Sequence, residues 1–311
     1  MTRILITGAA GGIGQALLGE MADGHDILAT DIRPPAALPE GAEYRPLDVR
    51  GDDPDAVIGD WKPEVVVHLA SIVTPPKGST RDFEYSVDVE GSRKVLDACI
   101  AHGVRRIVVT SSGAAYGYHA DNPVPLRETD TLRGNEEFAY AHHKRLVEEM
   151  LAEARRDRPE LEQVVLRVGT VLGEGIENQI TALFRRDPLL GIRGSDSPFV
   201  FIWTKDLARI LLRAATDGPP GIYNVAGDGA LGTKDLAAAL GKTVRWLSPA
   251  LLKLALGVAK PLGLSRYGPE QVRFLQFRPV LDNTKLKAEF GYVPELTSAE
   301  VFDLWRRGAG L

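Results

Sequence analysis

The chain reads as an α/β protein, a Rossmann-type doubly wound parallel sheet followed by a smaller, mainly helical C-terminal substrate lobe. Three observations predict it. A short apolar run, Ile4 to Thr7, passes through Gly8, Gly11, Gly12 and Gly14 into a helical stretch, Gln15 to Met21. Short β-rich runs then alternate with longer helical periods up to about residue 168. Such alternation is the pattern of βαβ units, and several of the runs are apolar throughout, as strands covered on both faces must be. Past Thr170, Gly and Pro become frequent and helices follow one another.

Strands are expected at Ile4–Thr7, Asp26–Thr30, Glu43–Leu47, Val65–Leu69, Arg106–Thr110 and Gln163–Arg167. Between them, Ser86–Ala101 and Phe138–Arg156 carry a helical period, the second ending before Pro159. In the C-terminal half, helices are expected at Thr233–Leu240, Pro249–Ala259, Pro269–Phe274, Lys285–Phe290 and Ser298–Arg306. The last opens on Thr297-Ser298-Ala299-Glu300, a capping box in which hydroxyl and carboxylate satisfy each other's backbone amides. Residues 1–169 are thus assigned to a dinucleotide-binding domain on which residues 200–216 pack back, and residues 170–311 to the lobe.

Composition narrows the field. At 311 residues, 44% hydrophobic and 25% charged, the chain has the balance of an ordinary globular protein. No segment approaches the roughly 20 apolar residues of a membrane helix. The run Leu247 to Leu256 is read as a packed helix, with no membrane contact. The opening Met1-Thr2-Arg3 runs straight into the first strand, so a signal peptide is not expected and a cytoplasmic location is. The single cysteine, Cys99, excludes a disulfide framework and reads as a core residue. A net charge of -5 gives no basic footprint for nucleic acid, and no His/Cys/Asp/Glu cluster has metal-ligand spacing.

The glycines explain the first turn. A side chain there would hold the backbone away from a pyrophosphate that must reach the free N–H groups at the helix N-terminus. Gly8, Gly11 and Gly14 lie three apart, so the turn departs from G-x-G-x-x-G, and it places Gly12 and Ile13 at the helix start. Asp31 ends the next apolar run seventeen residues after Gly14, where a carboxylate accepts hydrogen bonds from ribose hydroxyls and repels a 2′-phosphate. NAD is therefore expected over NADP. Arg33 either lies exposed in the Pro34-Pro35 loop or pairs with a 2′-phosphate.

Chemistry is expected at the C-terminal strand ends. Thr110-Ser111-Ser112-Gly113 directly follows a strand and brings hydroxyls to the crevice. Tyr140 and Lys144 share a helix face one turn apart, where an ammonium draws a phenol's pKa of about 10 towards neutrality and makes Tyr140 a general base. His142 and His143 beside them are assigned to supporting or solvent-facing positions.

With these pieces in view, the chain resembles an extended short-chain dehydrogenase/reductase of the NAD-dependent epimerase/dehydratase group, over nearly its whole length. T-G-x-x-G-x-x-G is matched from Thr7 to Gly14, and Y-x-x-x-K by Tyr140 and Lys144. The S-S-x-x-x-Y-G segment runs from Ser111 to Gly117 and aligns the family's catalytic serine with Ser112. The resemblance implies an adenine contact from Asp48-Val49 and cofactor contacts from Leu69, Ala70 and Ser71 of His68-Leu69-Ala70-Ser71, from Asp88, Thr110, Tyr140 and Val168, and from Lys144, which holds the nicotinamide ribose. Phe201-Ile202-Trp203-Thr204-Lys205-Asp206 is similar to F-I-H-V-D-D.

Two departures stand out. The family's N-V-x-G-T is here Asp88-Val89-Glu90-Gly91-Ser92, which replaces the relay asparagine by Asp88. The arginine that clamps nucleotide phosphates just before Phe201-Ile202 is absent, leaving Arg193, Arg273 or Arg278 as substitutes.

The function implied is NAD-dependent hydride and proton transfer at a secondary alcohol or ketone, carried by Ser112, Tyr140 and Lys144. A UDP-sugar 4-epimerase or dehydratase is the alternative, and a non-catalytic NAD-binding sensor a second one. A homodimer is a possible assembly. Leu183, Phe184, Phe199, Phe201, Trp203, Trp246 and Phe274 are taken as apolar lining that favours a less charged substrate and weak binding of UDP-sugars.

Overall fold

A seven-stranded sheet lies at the centre of the computed structural model, which describes residues 2–21, 24–76, 78–265 and 268–311. Met1, at the chain start discussed above, lies outside the described residues. The strands are β1 Thr2–Thr7, β2 His25–Asp31, β3 Glu43–Pro46, β4 Val65–His68, β5 Arg106–Ser112, β6 Glu162–Val168, β7 Thr170–Leu172, β8 Leu189–Ile192, β9 Phe201–Trp203, β10 Gly221–Val225 and β11 Val244–Leu247. The helices are α1 Gly12–Glu20, α2 Asp53–Trp61, α3 Arg81–Tyr85, α4 Gly91–Ala101, α5 Ala139–Asp157, α6 Gln179–Phe184, α7 Thr204–Ala215, α8 Thr233–Ala239, α9 Pro249–Ala259, α10 Gln271–Gln276 and α11 Ser298–Gly308.

The main sheet runs β10-β6-β5-β4-β1-β2-β3, every pair parallel. Winding reverses between β1 and β4, which opens the ligand crevice at their C-terminal ends. Side chains alternate between two buried layers, as the two-residue period of a strand requires. Ile4, Ile6, Val65, Val67 and Val108 pack towards α1 and α7, while Leu5, Val66, Ile107 and Val109 pack towards α2, α4 and α5. The chain returns to this sheet after residue 169, through α7 and β10. A further core of Phe184, Phe199, Phe201, Phe302 and Trp305 holds the C-terminal lobe together.

Several elements differ from the sequence reading. Ser86–Glu90 forms a π-helical turn between α3 and α4, so the helix expected from Ser86 begins earlier and widens in the middle. Lys285–Phe290 is helical as expected, but Leu286–Phe290 is wound as a second π-helical turn. Helix α2 was not expected, although Pro54 in its first turn and Asp53 and Asp55 beside it are start signals. The lobe holds short strands β7, β8, β9 and β11 in two-stranded pairs where strands were expected to be sparse. Helix α9 has no buried side chain, so the run expected to pack inside lies on the surface.

One buried ion pair fastens α5 to the sheet. Arg167 and Glu148, 4% and 5% exposed, meet through Nε at 3.0 Å and Nη2 at 2.7 Å, and Arg167 also donates to the Tyr116 hydroxyl at 2.8 Å. Removing one partner leaves the other buried charge unpaired. Arg167→Met should lower unfolding free energy by about 3–5 kcal/mol, and Arg167→Met with Glu148→Leu should recover most of it. Urea unfolding reads both, and a single variant as stable as the parent would show that the pair contributes nothing.

Candidate active site

The crevice floor is backbone against backbone. Gly8 has a φ of 71°, and a Cβ on it would lie 2.6 Å from the Ala70 amide nitrogen, so the turns after β1 and β4 touch only because the side chain is absent. On Gly14 a Cβ would lie 2.5 Å from the Gly8 carbonyl oxygen, and on Gly11 3.2 Å from it. Gly12 has nothing within 4 Å of its Cβ position and is exposed at the start of α1. The α1 cap is Gly11, which has no side chain to cover the amides of Gly12 and Ile13. Those donors remain available to an anion. Leu69 continues the contact, its amide donating to the Thr7 carbonyl at 3.1 Å.

Asp31 ends β2 at the rim of this turn. One carboxylate oxygen accepts the Ala10 amide at 3.0 Å, and no partner for the other is found among the described residues. The free oxygen suits a ribose hydroxyl. Arg33 is exposed and pairs with no carboxylate among the described residues. Asp48 is chelated by Arg50, at 3.0 Å through Nε and 2.6 Å through Nη2, and that hydrogen bond first of all, against some burial, holds its carboxyl below the usual range. Beside it Val49 is buried, against Gly91.

Ser112 closes β5 opposite Val168 of β6, and its hydroxyl accepts the Ala114 amide at 3.1 Å. Tyr140, in the first turn of α5, turns its hydroxyl towards Ser112 and packs among Ala114, Tyr118, Phe138, Phe274 and Phe277. Lys144 is buried, donates to the Thr110 carbonyl at 2.9 Å, and holds its Nζ 5.6 Å from the centre of the Tyr140 ring. The pKa of Tyr140 nevertheless moves opposite to the expected direction: burial pushes it up to about 12, the bond from Ser112 opposes this, and the Asp88 charge adds to it. The ammonium sits over the ring and is engaged by a carbonyl, while the low dielectric around the hydroxyl dominates. Burial likewise lowers Lys144, against the charges of Asp88 and Glu148.

Asp88, grouped by the sequence reading with the cofactor-binding residues, has its carboxylate engaged by protein donors. At 2% exposure its carboxylate accepts the Ser71 hydroxyl at 2.9 Å, the Ile72 amide at 2.8 Å and His143 Nδ1 at 3.0 Å. Burial alone would raise it; the bond from His143, the Lys144 charge, and the Ile72 and Ser71 bonds together hold it below the ordinary carboxylate value. His143 is fully buried rather than solvent-facing, edge-on to Tyr85, and its Nε2 has no hydrogen-bond partner among the described residues. His142 is the outward one, bonded to Arg145. His68, whose Nδ1 meets Thr7 and whose Nε2 meets Ser92, is driven by burial down to about 3 and so stays neutral. Among the described residues no His/Cys/Asp/Glu group is placed to hold a metal ion.

The apolar residues taken as substrate lining are mostly core. Phe184, Phe199 and Phe201 are 2%, 4% and 0% exposed within the lobe, with Leu183 and Trp203 packed against them, and Trp246 lies against Gly191. Phe274 alone of that set joins the Tyr140 cluster. Sequence cannot separate a lining ring from a core ring when both are simply aromatic.

A parallel sheet with its glycine turn, acidic β2 end and Ser-Tyr-Lys set at the switch point is the site of a short-chain, dinucleotide-dependent enzyme. The chain belongs to the NAD dependent epimerase/dehydratase family, which it matches over residues 4–226. Its cofactor is NAD, which the open α1 N-terminus and Asp31 fit. An uncharacterized protein of Mycobacterium tuberculosis is 25% identical, covering 99% of this chain and 84% of its own. UDP-glucose 4-epimerase of Mycolicibacterium smegmatis is 28% identical, covering 96% and 95%. The fold is similar to that of MoeE5 in complex with UDP-glucose and NAD, with a TM-score of 0.75 at 22% identity and 99% and 98% coverage. It is equally similar to UDP-glucose 4-epimerase from Thermotoga maritima, with a TM-score of 0.76, 19% identity and 99% and 98% coverage.

Because Asp88 is lowered in the folded state, its contribution to stability is complete above the ordinary carboxylate value of about 4 and is lost as pH falls through its lower folded value. Asp88→Asn should therefore be less stable than the parent by about 1–3 kcal/mol at neutral pH, with the gap closing below about pH 4. Urea unfolding across pH would show it, and a gap that stayed constant into acid would remove the charge from the explanation.

Proposed function

We propose that this chain is a nucleotide-sugar epimerase, which oxidises a secondary alcohol of the sugar, keeps the ketone bound and reduces it from its other face. The observation that carries the reading is the grouping of Tyr140 with Ser112 at the end of β5 and with Lys144 one helical turn on, whose Nζ lies 5.6 Å from the centre of the Tyr140 ring. When bound, NAD supplies the hydride acceptor and then the hydride donor. Tyr140 takes the alcohol proton and returns it on reduction, so the cycle consumes none. Ser112 holds the substrate oxygen. Lys144 favours the phenolate against the burial that opposes it. Tyr118, Phe138, Phe274 and Phe277 surround Tyr140 with apolar side chains.

Arg278 supports a phosphate-bearing substrate. Phe199 occupies the neighbourhood where the clamping arginine was expected, and the Arg278 guanidinium lies 3.7 Å above that ring and 5.2 Å from Phe274. Its Nη1 donates to the Ser197 carbonyl at 2.7 Å and hydroxyl at 3.0 Å, Nε is buried without a partner, and it pairs with no carboxylate among the described residues. Burial draws Arg278 down to about 9, which leaves it a cation at neutral pH. Such a cation lacks a counter-charge and suits a diphosphate. The other candidates fit less well, since Arg193 is exposed and Arg273 is paired with Glu137 at 2.9 Å.

The NAD-loaded protein should bind UDP-glucose with micromolar affinity in titration calorimetry, about 8 kcal/mol, and Arg278→Leu should weaken this by about tenfold to a hundredfold. Turnover to the C4 epimer should proceed without accumulating NADH, and Tyr140→Phe should lower kcat by about 10²–10⁴ while leaving binding intact. Stoichiometric NADH with release of a ketone would make the chain a dehydrogenase. Failure to bind any nucleotide sugar would overturn the substrate class.

A further inference from the structure

Helix α9 is not built like an ordinary surface helix, which turns an apolar stripe inward and a polar face outward. Its sequence is P-A-L-L-K-L-A-L-G-V-A, and Lys253 is its one charged residue. The inward stripe is Leu252, Leu256 and Ala259, half-buried at steps of four and three. The outward face is as apolar. Leu251, Leu254 and Val258 are 68%, 67% and 55% exposed, and the stripe continues past the helix in Leu262 and Leu264 at 66% and 79%. Elsewhere among the described residues, large exposed apolar side chains such as Ile32, Val73, Val124 and Val293 are scattered. A contiguous patch of this kind marks an interaction surface.

Charge says what the surface meets. From Leu236 to Pro269 the sequence has no Asp or Glu but holds Lys242, Arg245, Lys253, Lys260 and Arg266, in a chain whose net charge is -5. Arg245 and Lys253 are exposed, and Lys260 is exposed with Glu270 beside it at 3.0 Å. Exposed Arg193 joins them, its amide bonded to the Leu247 carbonyl two residues before α9. Exposed leucines accompanied by exposed lysine and arginine, with no acid in the segment, are the composition of helices that lie in the headgroup region of a bilayer.

We propose that α9 and the turn after it rest on an anionic lipid surface. The leucines enter the boundary between headgroups and acyl chains, and the basic side chains face lipid phosphates. Eleven residues span about 16 Å, so α9 lies in the membrane plane and does not cross it. A second copy of the chain fits less well, because a two-fold contact through α9 brings Arg245 and Lys253 of both copies together with no carboxylate from the segment between them. A protein partner also expects hydrogen-bonding groups on the face it covers, and Lys253 is all that α9 presents.

The test is flotation of the full chain with vesicles of phosphatidylcholine mixed equally with phosphatidylglycerol, against vesicles of phosphatidylcholine alone. Binding should be confined to the anionic vesicles and should fall at high salt. Lys253→Gln should weaken it about fivefold. Leu251→Glu with Leu254→Glu should abolish it, while circular dichroism and thermal unfolding stay unchanged because both side chains are exposed. Absence of flotation with anionic vesicles, or flotation that survives the paired glutamates, overturns the proposal. So does a dimer in sedimentation that the same pair dissociates, which would assign α9 to a second copy.

Discussion

A carboxylate taken out of water costs several kcal/mol unless donors surround it. Asp88 meets this condition with a hydroxyl and an amide from the segment after β4, an imidazole from α5 and the field of Lys144. Those donors belong to the two parts of the molecule that must be held in register, the wall of the cofactor crevice and the helix carrying Tyr140. Its place in a π-helical turn is consistent with this, since such turns recur at functional sites. An asparagine offers one acceptor where Asp88 offers two charged ones. The presence of fully buried His143 on α5 is thus coupled to the acid at position 88.

How far the sequence could be read depends on whether the determinants were local. The glycine turn, the apolar runs of β1 and β4 and the helical period of α5 each declare themselves within a dozen residues, and the sheet and the Ser112, Tyr140 and Lys144 set followed from them. The pairing of Asp88 with His143 spans 55 residues and matches no motif, so nothing in the chain announces it. Helix α2 was legible in retrospect, from Pro54 and its flanking acids, but the strand pattern on either side drew the eye past it. The lobe defeated the reading in both directions. Phe184 and Phe201, expected to line a site, are core, while in α9, expected to be a packed helix, Leu251 and Leu254 face outward. Hydrophobicity reports that a side chain leaves water somewhere; it does not report against what.

The C-terminal lobe also shows how a charge can be relocated. Phe199 stands where an arginine was anticipated, and the guanidinium of Arg278, from the segment after α10, sits over its ring. Stacking of a guanidinium on an aromatic face fixes its plane and direction without neutralising it. Ser197 is held at a φ of 40°, an unfavourable conformation for a serine, and its carbonyl is one of the two acceptors that orient Arg278. Such outliers persist only where their surroundings over-determine them.

The bond from the Ala10 amide to Asp31 carries a consequence for cofactor exchange. On the proposed reading, a single carboxylate both selects the ribose and staples the glycine turn, the second through the oxygen that accepts from Ala10. Discrimination and loop order are therefore one variable. Any route by which such a chain acquires a preference for a 2′-phosphate must first find another acceptor for Ala10, so an isolated charge reversal at position 31 trades selectivity for a loosened phosphate cradle, and the compensating change has to arise in the loop itself.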